Sequence, residues 1–110
     1  MEDFVTFEIA KKLKEKGFPI KTKTEGKFGL TKVKEVEILP TISQVLKWLR
    51  EEKIYIVPTF CVDQNDNGYW DFRLISTMDG MLIYDEIKNR YNSYEQAALA
   101  GIEYVLNNLI

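Results

Sequence analysis

Apolar residues recur with two different periods along this chain, and each period predicts one type of secondary structure. Helical spacing opens the sequence, where Val5, Ile9 and Leu13 repeat every four residues. We therefore predict a first helix over about residues 3–16. Gly17 is typical of the residue just beyond a helix end, because glycine adopts the left-handed conformation found there.

Two further helices are predicted from capping-box patterns. Thr41 and Gln44 have the spacing at which each side chain bonds the backbone of the other residue. A helix over about residues 42–52 follows, with apolar residues at helical spacing. Ser93 and Gln96 repeat the capping-box spacing ahead of a final helix.

The final helix carries several small residues. Ala97, Ala98 and Gly101 lie within two turns of one another. Glycine inside a helix costs about 1 kcal/mol relative to alanine. We expect these residues to leave room for a close approach between the helix and a sheet.

From Ile54 to Ile87 the chain changes to the period of two that is typical of strands. Three runs, IYIVPTFCVD, YWDFRLIS and MLIYDEI, are separated by turn-forming residues. Pro58 cannot donate a backbone hydrogen bond, so the first of these strands is predicted at a sheet edge. We predict a single α+β domain over residues 1–110: a three-stranded antiparallel meander packed by about three helices.

Residues 20–38 form a less regular segment. Ile20, Thr22 and Thr24 alternate with lysines, and Val36 and Ile38 alternate with glutamates. This alternation favours a hairpin that extends the meander. The competing interpretation is a mobile basic arm.

The stretch VDQNDNGYWDF, residues 62–72, matches part of a calcium-binding loop. EF-hand positions 1, 3, 5, 6 and 9 are occupied by Asp63, Asn65, Asn67, Gly68 and Asp71. Position 12, which requires a bidentate acid, is Leu74, and both flanks resemble strands rather than helices. We interpret the stretch as a hairpin tip without a metal ion, and calcium binding is the alternative.

Two registers of this hairpin are compatible with the sequence. The first has a three-residue loop of Asp66, Asn67 and Gly68, with Gly68 in the left-handed conformation. Its cross-strand pairs are Asn65 with Tyr69, Val62 with Phe72 and Phe60 with Leu74. It gathers seven apolar residues on one face: Ile54, Ile56, Phe60, Val62, Trp70, Phe72 and Leu74. A two-residue turn at Asn67 and Gly68 would shift the register by one residue, which brings Trp70, Phe72 and Leu74 beside Tyr55, Val57 and Cys61.

Charge is unevenly distributed, although the net charge is only −2. Nine lysines lie between Lys11 and Lys34, accompanied by Glu15 and Glu25 alone among acidic residues. Such a segment could bind a nucleic-acid backbone. The candidate contacts are Lys21, Lys23 and Lys27. The alternative is a solvated helix face and hairpin edge, since the run contains no arginine for bidentate phosphate contacts.

Histidine is absent from the sequence, which removes the commonest general base and zinc ligand. We find no nucleophile motif and no glycine-rich phosphate loop, and therefore predict a non-enzymatic protein without a cofactor. The single cysteine, Cys61, favours a reducing cytoplasmic setting and is expected to pack within a strand. Hydropathy predicts neither a signal peptide nor a membrane span.

Four aromatic residues are candidates for contacts with a protein partner or a second copy of the chain: Trp48, Tyr55, Tyr84 and Tyr104. Trp48 flanks the apolar stripe of the second helix, from which it could reach a partner. Together with the edge strand at Pro58, these residues favour an interaction module that self-associates or binds another protein.

Three segments carry a family resemblance: EDFVTFEIAKKLKEKGF, PTISQVLKWLREEK and YNSYEQAALAGIEYVLNNLI. They cover roughly residues 1–18, 39–53 and 91–110 and resemble a family of short uncharacterised proteins from gut Bacteroidetes genomes and their phages and mobile elements. The resemblance implies a cytoplasmic accessory protein of mobile-element origin. It transfers no functional residue.

A second resemblance covers only residues 57–109. The strand, the DQNDNGY turn, two further strands and the helix SYEQAALAGIEYVL are similar to the core of HicB-type antitoxins. The segment that precedes the final helix in that group is missing, no DNA-binding module follows, and about fifty additional residues lie in front. The likeness therefore implies a topology and no activity.

Overall fold

The computed structural model describes residues 3–25, 34–76, 81–85 and 90–110. In chain order, its elements are α1 (Phe7–Glu15), β1 (Thr22–Glu25), β2 (Lys34–Glu37), α2 (Ile42–Glu51), β3 (Ile54–Val62), β4 (Gly68–Ser76), β5 (Met81–Asp85) and α3 (Tyr94–Asn108). The α+β class predicted from the two hydrophobic periods is confirmed.

Helix α1 begins later than the sequence predicts. Thr6 caps it, because its hydroxyl accepts a hydrogen bond of 3.2 Å from the N–H three residues further on. The residues ahead of Thr6 are extended and pair with the segment that enters α2. Val5 N–H donates to the Pro40 carbonyl at 3.0 Å, and Ile42 N–H donates to the Asp3 carbonyl at 2.9 Å. These bonds satisfy backbone groups that a longer helix would have used.

The end of α1 is a Schellman motif. Gly17 has a φ of 95°, in the left-handed region predicted for it. Its N–H donates to the Lys14 carbonyl at 3.2 Å, and the N–H of Phe18 donates to the Leu13 carbonyl at 3.0 Å. Leu13 and Phe18 are both buried, as is usual for the residues that flank this motif.

The caps predicted for the other two helices are present, one of them in a modified form. At α2, Thr41 and Gln44 exchange bonds of 3.2 and 2.9 Å in a complete capping box. At α3, Ser93 accepts a bond from Gln96 N–H at 3.1 Å. The Gln96 side chain instead accepts from the N–H of Asn92 at 3.0 Å, one residue earlier than in a capping box. Among the described residues, no helix combines the length and the apolar character needed to cross a bilayer.

The larger sheet is antiparallel, with strand order β3–β4–β5. Strand β3 therefore lies at an edge, as Pro58 predicts. Beyond the end of β5, Tyr91 takes the place next to β4. Trp70 N–H donates to the Tyr91 carbonyl at 2.9 Å, and Tyr91 N–H donates back to the Trp70 carbonyl at 2.8 Å. Strand β4 is central, and the segment 77–80 that joins β4 to β5 lies outside the described residues.

Strands β1 and β2 form a separate two-stranded antiparallel sheet. Thr22 pairs with Glu37, and Glu25 pairs with Lys34. The predicted hairpin at residues 20–38 is therefore present in these strands, whereas its predicted addition to the larger sheet is wrong. The turn expected at EGKFG lies almost entirely outside the described residues.

Both predicted registers of the β3–β4 hairpin are wrong. The observed pairs are Val62 with Gly68, Phe60 with Trp70, Pro58 with Phe72 and Ile56 with Leu74. The loop is therefore longer than either prediction and spans residues 63–67. The three-residue alternative nevertheless assigned the side chains to the correct faces, because the observed register differs from it by an even number of residues. The face assignment of the two-residue alternative is wrong.

The longer loop is stabilised by Asp63. One of its carboxylate oxygens accepts hydrogen bonds from the N–H of Asn65 at 2.8 Å and of Asn67 at 3.0 Å. Asp66, with a φ of 61°, adopts the left-handed conformation that we expected at Gly68. Gly68 is instead required for packing, because the ring of Phe60 occupies the space that a side chain at residue 68 would need.

The core lies between the three helices and one face of the larger sheet. Its most fully buried large side chains come from every layer: Leu13, Val45, Leu49, Phe72, Leu74, Ile102 and Val105. Helix α3 crosses this face at Gly101, where an added Cβ would lie 2.7 Å from Ile56 Cγ2 and 3.3 Å from Phe72 Cδ2. The predicted close approach of α3 to the sheet is confirmed.

Gly101→Ala is expected to destabilise the protein. Overpacking a core costs about 1–3 kcal/mol, and the gain in helix propensity offsets about 1 kcal/mol of that cost. We therefore expect urea unfolding to show a net loss of up to about 2 kcal/mol. In an Ile56→Ala background the contacting Cγ2 is absent, so Gly101→Ala should cost less there. An equal cost in both backgrounds would contradict the proposed contact.

Candidate interaction surface

The aromatic residues singled out from the sequence lie on four different elements. Tyr55 lies on β3, and its side chain is on the sheet face opposite the helices. Tyr104 lies on α3 and packs against the core, half-buried. Tyr84 is opposite Leu74 in the β4–β5 pairing, and its side chain is outside the described part of the structure. Trp48 is on α2. Within the described part of the structure, Trp48, Tyr55 and Tyr104 therefore do not form a single binding surface, and partner binding by the four residues stays a prediction.

Trp48 stands at the margin of the core. Its ring meets the ring of Phe18 edge-on, with centroids 5.4 Å apart and an interplanar angle of 81°. Its other side borders a cleft of about 390 Å³, which Ile38, Leu39 and Lys21 also line. Half-buried Trp48 thus supports the base of the β1–β2 hairpin and retains an accessible surface.

The lysine-rich segment is less basic in the fold than in the sequence. Lys14 forms an ion pair with Glu37, and Lys12 lies 3.8 Å from a carboxylate oxygen of Glu103. The sequences TKTE and KEVE give strands β1 and β2 two lysines against three glutamates. Of the candidate contacts, Lys21 lines the cleft, Lys23 lies in β1 and Lys27 is outside the described residues. Nucleic-acid binding stays a prediction.

The free edge of β3 presents backbone groups to solvent. Trp70 uses both its N–H and its carbonyl to bond Tyr91. Its pair with Phe60 across the β3–β4 hairpin is therefore not hydrogen-bonded, and the N–H and carbonyl of Phe60 point away from β4. By alternation along the strand, the nitrogen of Pro58 also faces the open edge, where its missing hydrogen interrupts the row of donors. Within the described ranges, no strand pairs with this side of β3.

A cluster of apolar side chains lies beside this edge, at the hairpin end farthest from α2. We define the distal patch as Phe60, Val62, Trp70 and Tyr94. Phe60 is 54% exposed, Val62 58% and Tyr94 41%. The rings stack edge-on, with centroids 5.3 Å apart for Phe60 and Trp70 and 5.7 Å apart for Trp70 and Tyr94. Adjacent exposed apolar residues of this kind mark interaction surfaces more often than scattered ones do.

The distal patch is exposed because the β3–β4 hairpin extends past α3, the helix that covers the rest of the hairpin's apolar face. Phe60 and Val62 lie on the same face as the buried Ile54 and Ile56 of β3. Helix α3 begins only at Tyr94, whose ring reaches Trp70 but leaves Phe60 and Val62 in contact with solvent. One continuous apolar face is therefore core at one end and surface at the other.

The hairpin tip is held by an arginine clamp. Arg90 donates a 2.7 Å hydrogen bond from Nη1 to the second carboxylate oxygen of Asp63. Its guanidinium also lies over the ring of Tyr69, 4.4 Å from the centroid. Hydrogen bonds from Arg90 and from the N–H groups of Asn67 and Asn65 lower the pKa of Asp63 below its ordinary value. Burial raises the pKa of Tyr69.

Asp63, which would be the first ligand of a calcium loop, is bonded by Arg90 instead. Both oxygens of Asp63 accept hydrogen bonds, one from Arg90 and the other from the tip backbone. The hairpin interpretation of residues 62–72 is confirmed. Among the described residues, no three Asp, Glu, Cys or His side chains are grouped as a metal ion requires.

Cys61 lies on the outer face of β3, opposite Tyr69. It is half-buried, with its sulfur 3.9 Å from the Thr59 carbonyl. It therefore lies on the sheet face opposite the helices and not in the core.

Sequence reasoning missed the distal patch and the arginine clamp. The sequence does contain a signal for the clamp, because the Asp-x-Asn-x-Asn spacing of the tip allows one carboxylate to bond two backbone N–H groups ahead of it. No local signal distinguishes exposed Phe60 from buried Phe72, since both are apolar residues on the same face of one hairpin.

Comparisons with known proteins found no match: no protein-family model matches the chain, and no curated protein or solved structure is significantly similar to it.

Asp63→Asn is expected to destabilise the hairpin tip in a pH-dependent way. Because the folded-state pKa of Asp63 is lowered, its stabilising effect is present above its unfolded-state value of 3.8 and is lost as the pH falls through the lower folded value. The urea midpoint of the variant should lie below that of the wild type at pH 7, and the difference should shrink as the pH falls below 3.8. Asp66→Asn, which removes a charge from the same tip but leaves the Arg90 pair, is the control. A difference for Asp63→Asn that persists at low pH would contradict the clamp.

Proposed function

We propose that this chain is a non-enzymatic, cytoplasmic interaction module built on a three-stranded meander. It binds an extended polypeptide segment along the edge of β3 and anchors that segment on the distal patch. One observation carries the proposal: the free backbone edge and the exposed aromatic cluster occupy the same end of the same strand. The resemblance to accessory proteins of mobile elements is compatible with this role and stays a prediction.

Strand addition explains both features together. An incoming strand satisfies the outward N–H and carbonyl groups of Phe60 and Val62, which supplies affinity without regard to sequence. The side chains of that strand alternate between the two sheet faces, so every second one reaches the distal patch. Apolar residues at those alternate positions would supply specificity.

The placement of Pro58 supports the functional importance of the edge beyond it. Proteins usually blunt an edge strand with proline, charge or a covering element. In β3 the proline interrupts the row of donors in the middle of the strand, and the distal half retains Phe60 and Val62 without a charged residue between them. Neither half of β3 carries a charged residue, and the half beyond Pro58 is the one that lies beside the aromatic cluster.

The sequence favours binding over catalysis. It has no histidine, and the described carboxylates form no group of three with one another or with the cysteine. Asp63, which directly follows Val62 in the chain, is engaged by Arg90. The chemistry that remains at this end of the molecule is backbone hydrogen bonding and apolar contact.

Selection from a displayed library of random peptides tests the proposal. Sparsely immobilised protein should enrich peptides with alternating apolar residues, and these peptides should slow hydrogen exchange at the amides of Phe60 and Val62. Val62→Lys introduces a charge into the patch at an exposed position, so binding should fall more than about tenfold. Asn107→Lys, which adds the same charge at an exposed site on α3, should leave binding unchanged.

Two results would refute the proposal. One is the enrichment of no peptide at all. The other is the enrichment of peptides that bind the Val62→Lys variant as tightly as the wild type, because such peptides would use another surface.

A further inference from the structure

We infer that the partner of the β3 edge is a second copy of this chain, paired antiparallel about a two-fold axis that passes beside Cys61. The inference rests on the proposed function and names the occupant of the same site. It follows from the backbone groups that the edge presents, from the ring of Pro58 and from the position of the distal patch.

The edge of β3 has a simple pattern of donors and acceptors. Phe60 directs its backbone groups away from β4, and so by alternation do Ile54, Ile56 and Val62. Pro58 presents a carbonyl at the same edge but no N–H. A second strand can therefore exchange pairs of hydrogen bonds with every outward residue except Pro58.

Pro58 restricts the registers that two copies can adopt. A two-fold axis at Pro58, Thr59 or Phe60 places Pro58 in a hydrogen-bonded pair with a residue of the opposite strand. The ring of Pro58 would then occupy the place where an N–H hydrogen bonds the opposite strand, and it would hold the two strands apart. An axis at Tyr55 avoids this conflict but leaves both distal patches uncovered.

An axis at Cys61 satisfies both requirements. Phe60 of each copy pairs with Val62 of the other, which gives four backbone hydrogen bonds across the axis. Pro58 then lies opposite Gln64, beyond the end of the second copy's strand. No proline ring falls between bonded residues in this register.

The same register joins the two distal patches. Opposite residues in an antiparallel pair direct their side chains to the same face, so Phe60 of one copy packs beside Val62 of the other. Both lie on the helix-bearing face, next to Trp70 and Tyr94, and the two exposed clusters become one apolar layer between the copies.

The arrangement is closed. A two-fold pairing uses the same edge of both copies, so no strand of the pair is left to recruit a third copy through β3.

The register makes a measurable prediction about Cys61. The residue lies on the axis in a non-hydrogen-bonded pair, where Cα atoms are about 4.5 Å apart. Disulfides form across Cα separations of about 4.4–6.8 Å, so the two thiols fall within reach. Cys61 is the single cysteine of the chain, so any oxidative cross-link reports this position alone.

The test combines light scattering with oxidation by copper phenanthroline in air, on purified full-length protein. Without oxidant, we expect a particle of twice the chain mass of 12.9 kDa. With oxidant, a covalent dimer should form that reduction reverses. Cys61→Ser should abolish the cross-link and remain dimeric, whereas Val62→Lys should be monomeric and Asn107→Lys dimeric.

A matched cysteine position distinguishes this register from its neighbours. The double variant Cys61→Ser/Thr59→Cys moves the thiol two residues along the same face of β3. In the proposed register, residue 59 of one copy lies four residues along the strands from residue 59 of the other. Four residues of strand span about 13 Å, too far for a disulfide, so cross-linking should be at least tenfold slower. Equally fast cross-linking through Thr59→Cys would overturn the register.

Failure of this inference can be separated from failure of the proposed function. A monomer at about 100 μM protein, with no cross-link, would overturn self-association. If selected peptides still protected Phe60 and Val62 from exchange in that case, the edge would remain a docking strand for another polypeptide. A monomer that also binds no peptide would overturn both proposals.

Discussion

The contact on which the fold depends is the close approach of α3 to the β3–β4 hairpin at Gly101. Ile56 and Phe72 occupy the space that a side chain at residue 101 would need. This contact brings the helix backbone near the sheet and fixes the depth of the layer into which α1 and α2 pack. It also determines where helix cover ends, because α3 starts at Tyr94 and the hairpin continues beyond it. The buried core and the exposed patch are thus two consequences of one helix placement.

The sequence predicted the features that depend on local chemistry. The capping residues Thr41 and Ser93 and the helix-ending Gly17 act within a few residues of themselves, so their roles follow from spacing alone. The edge position of β3 followed from Pro58, since proline lacks the donor that an internal strand requires. The face of each β3 and β4 side chain followed from the period of two.

The features that depend on distant contacts could not be predicted in this way. The hairpin register was wrong because Asp63 bonds the backbone of its own loop and is held by Arg90, which is remote in sequence. Trp48, Tyr55 and Tyr104 were chosen for residue type, yet their accessibility depends on the helices and strands around them. The distal patch was missed for the same reason: Phe60 and Phe72 differ only in whether α3 reaches them.

The pairing of the chain before α1 with the chain before α2 has a consequence for how this protein can vary. Val5 and Pro40, together with Asp3 and Ile42, fasten the two helix entrances to each other. The bond from Ile38 N–H to the Lys21 carbonyl, 2.7 Å long, closes the base of the β1–β2 hairpin just outside this junction. Strands β1 and β2 form a sheet of their own beyond that base. Because loop-closure entropy grows only slowly with loop length, the domain should tolerate a hairpin of a different length. The hairpin is therefore a natural insertion point, where a lineage or a protein engineer can exchange one appendage for another without rebuilding the domain.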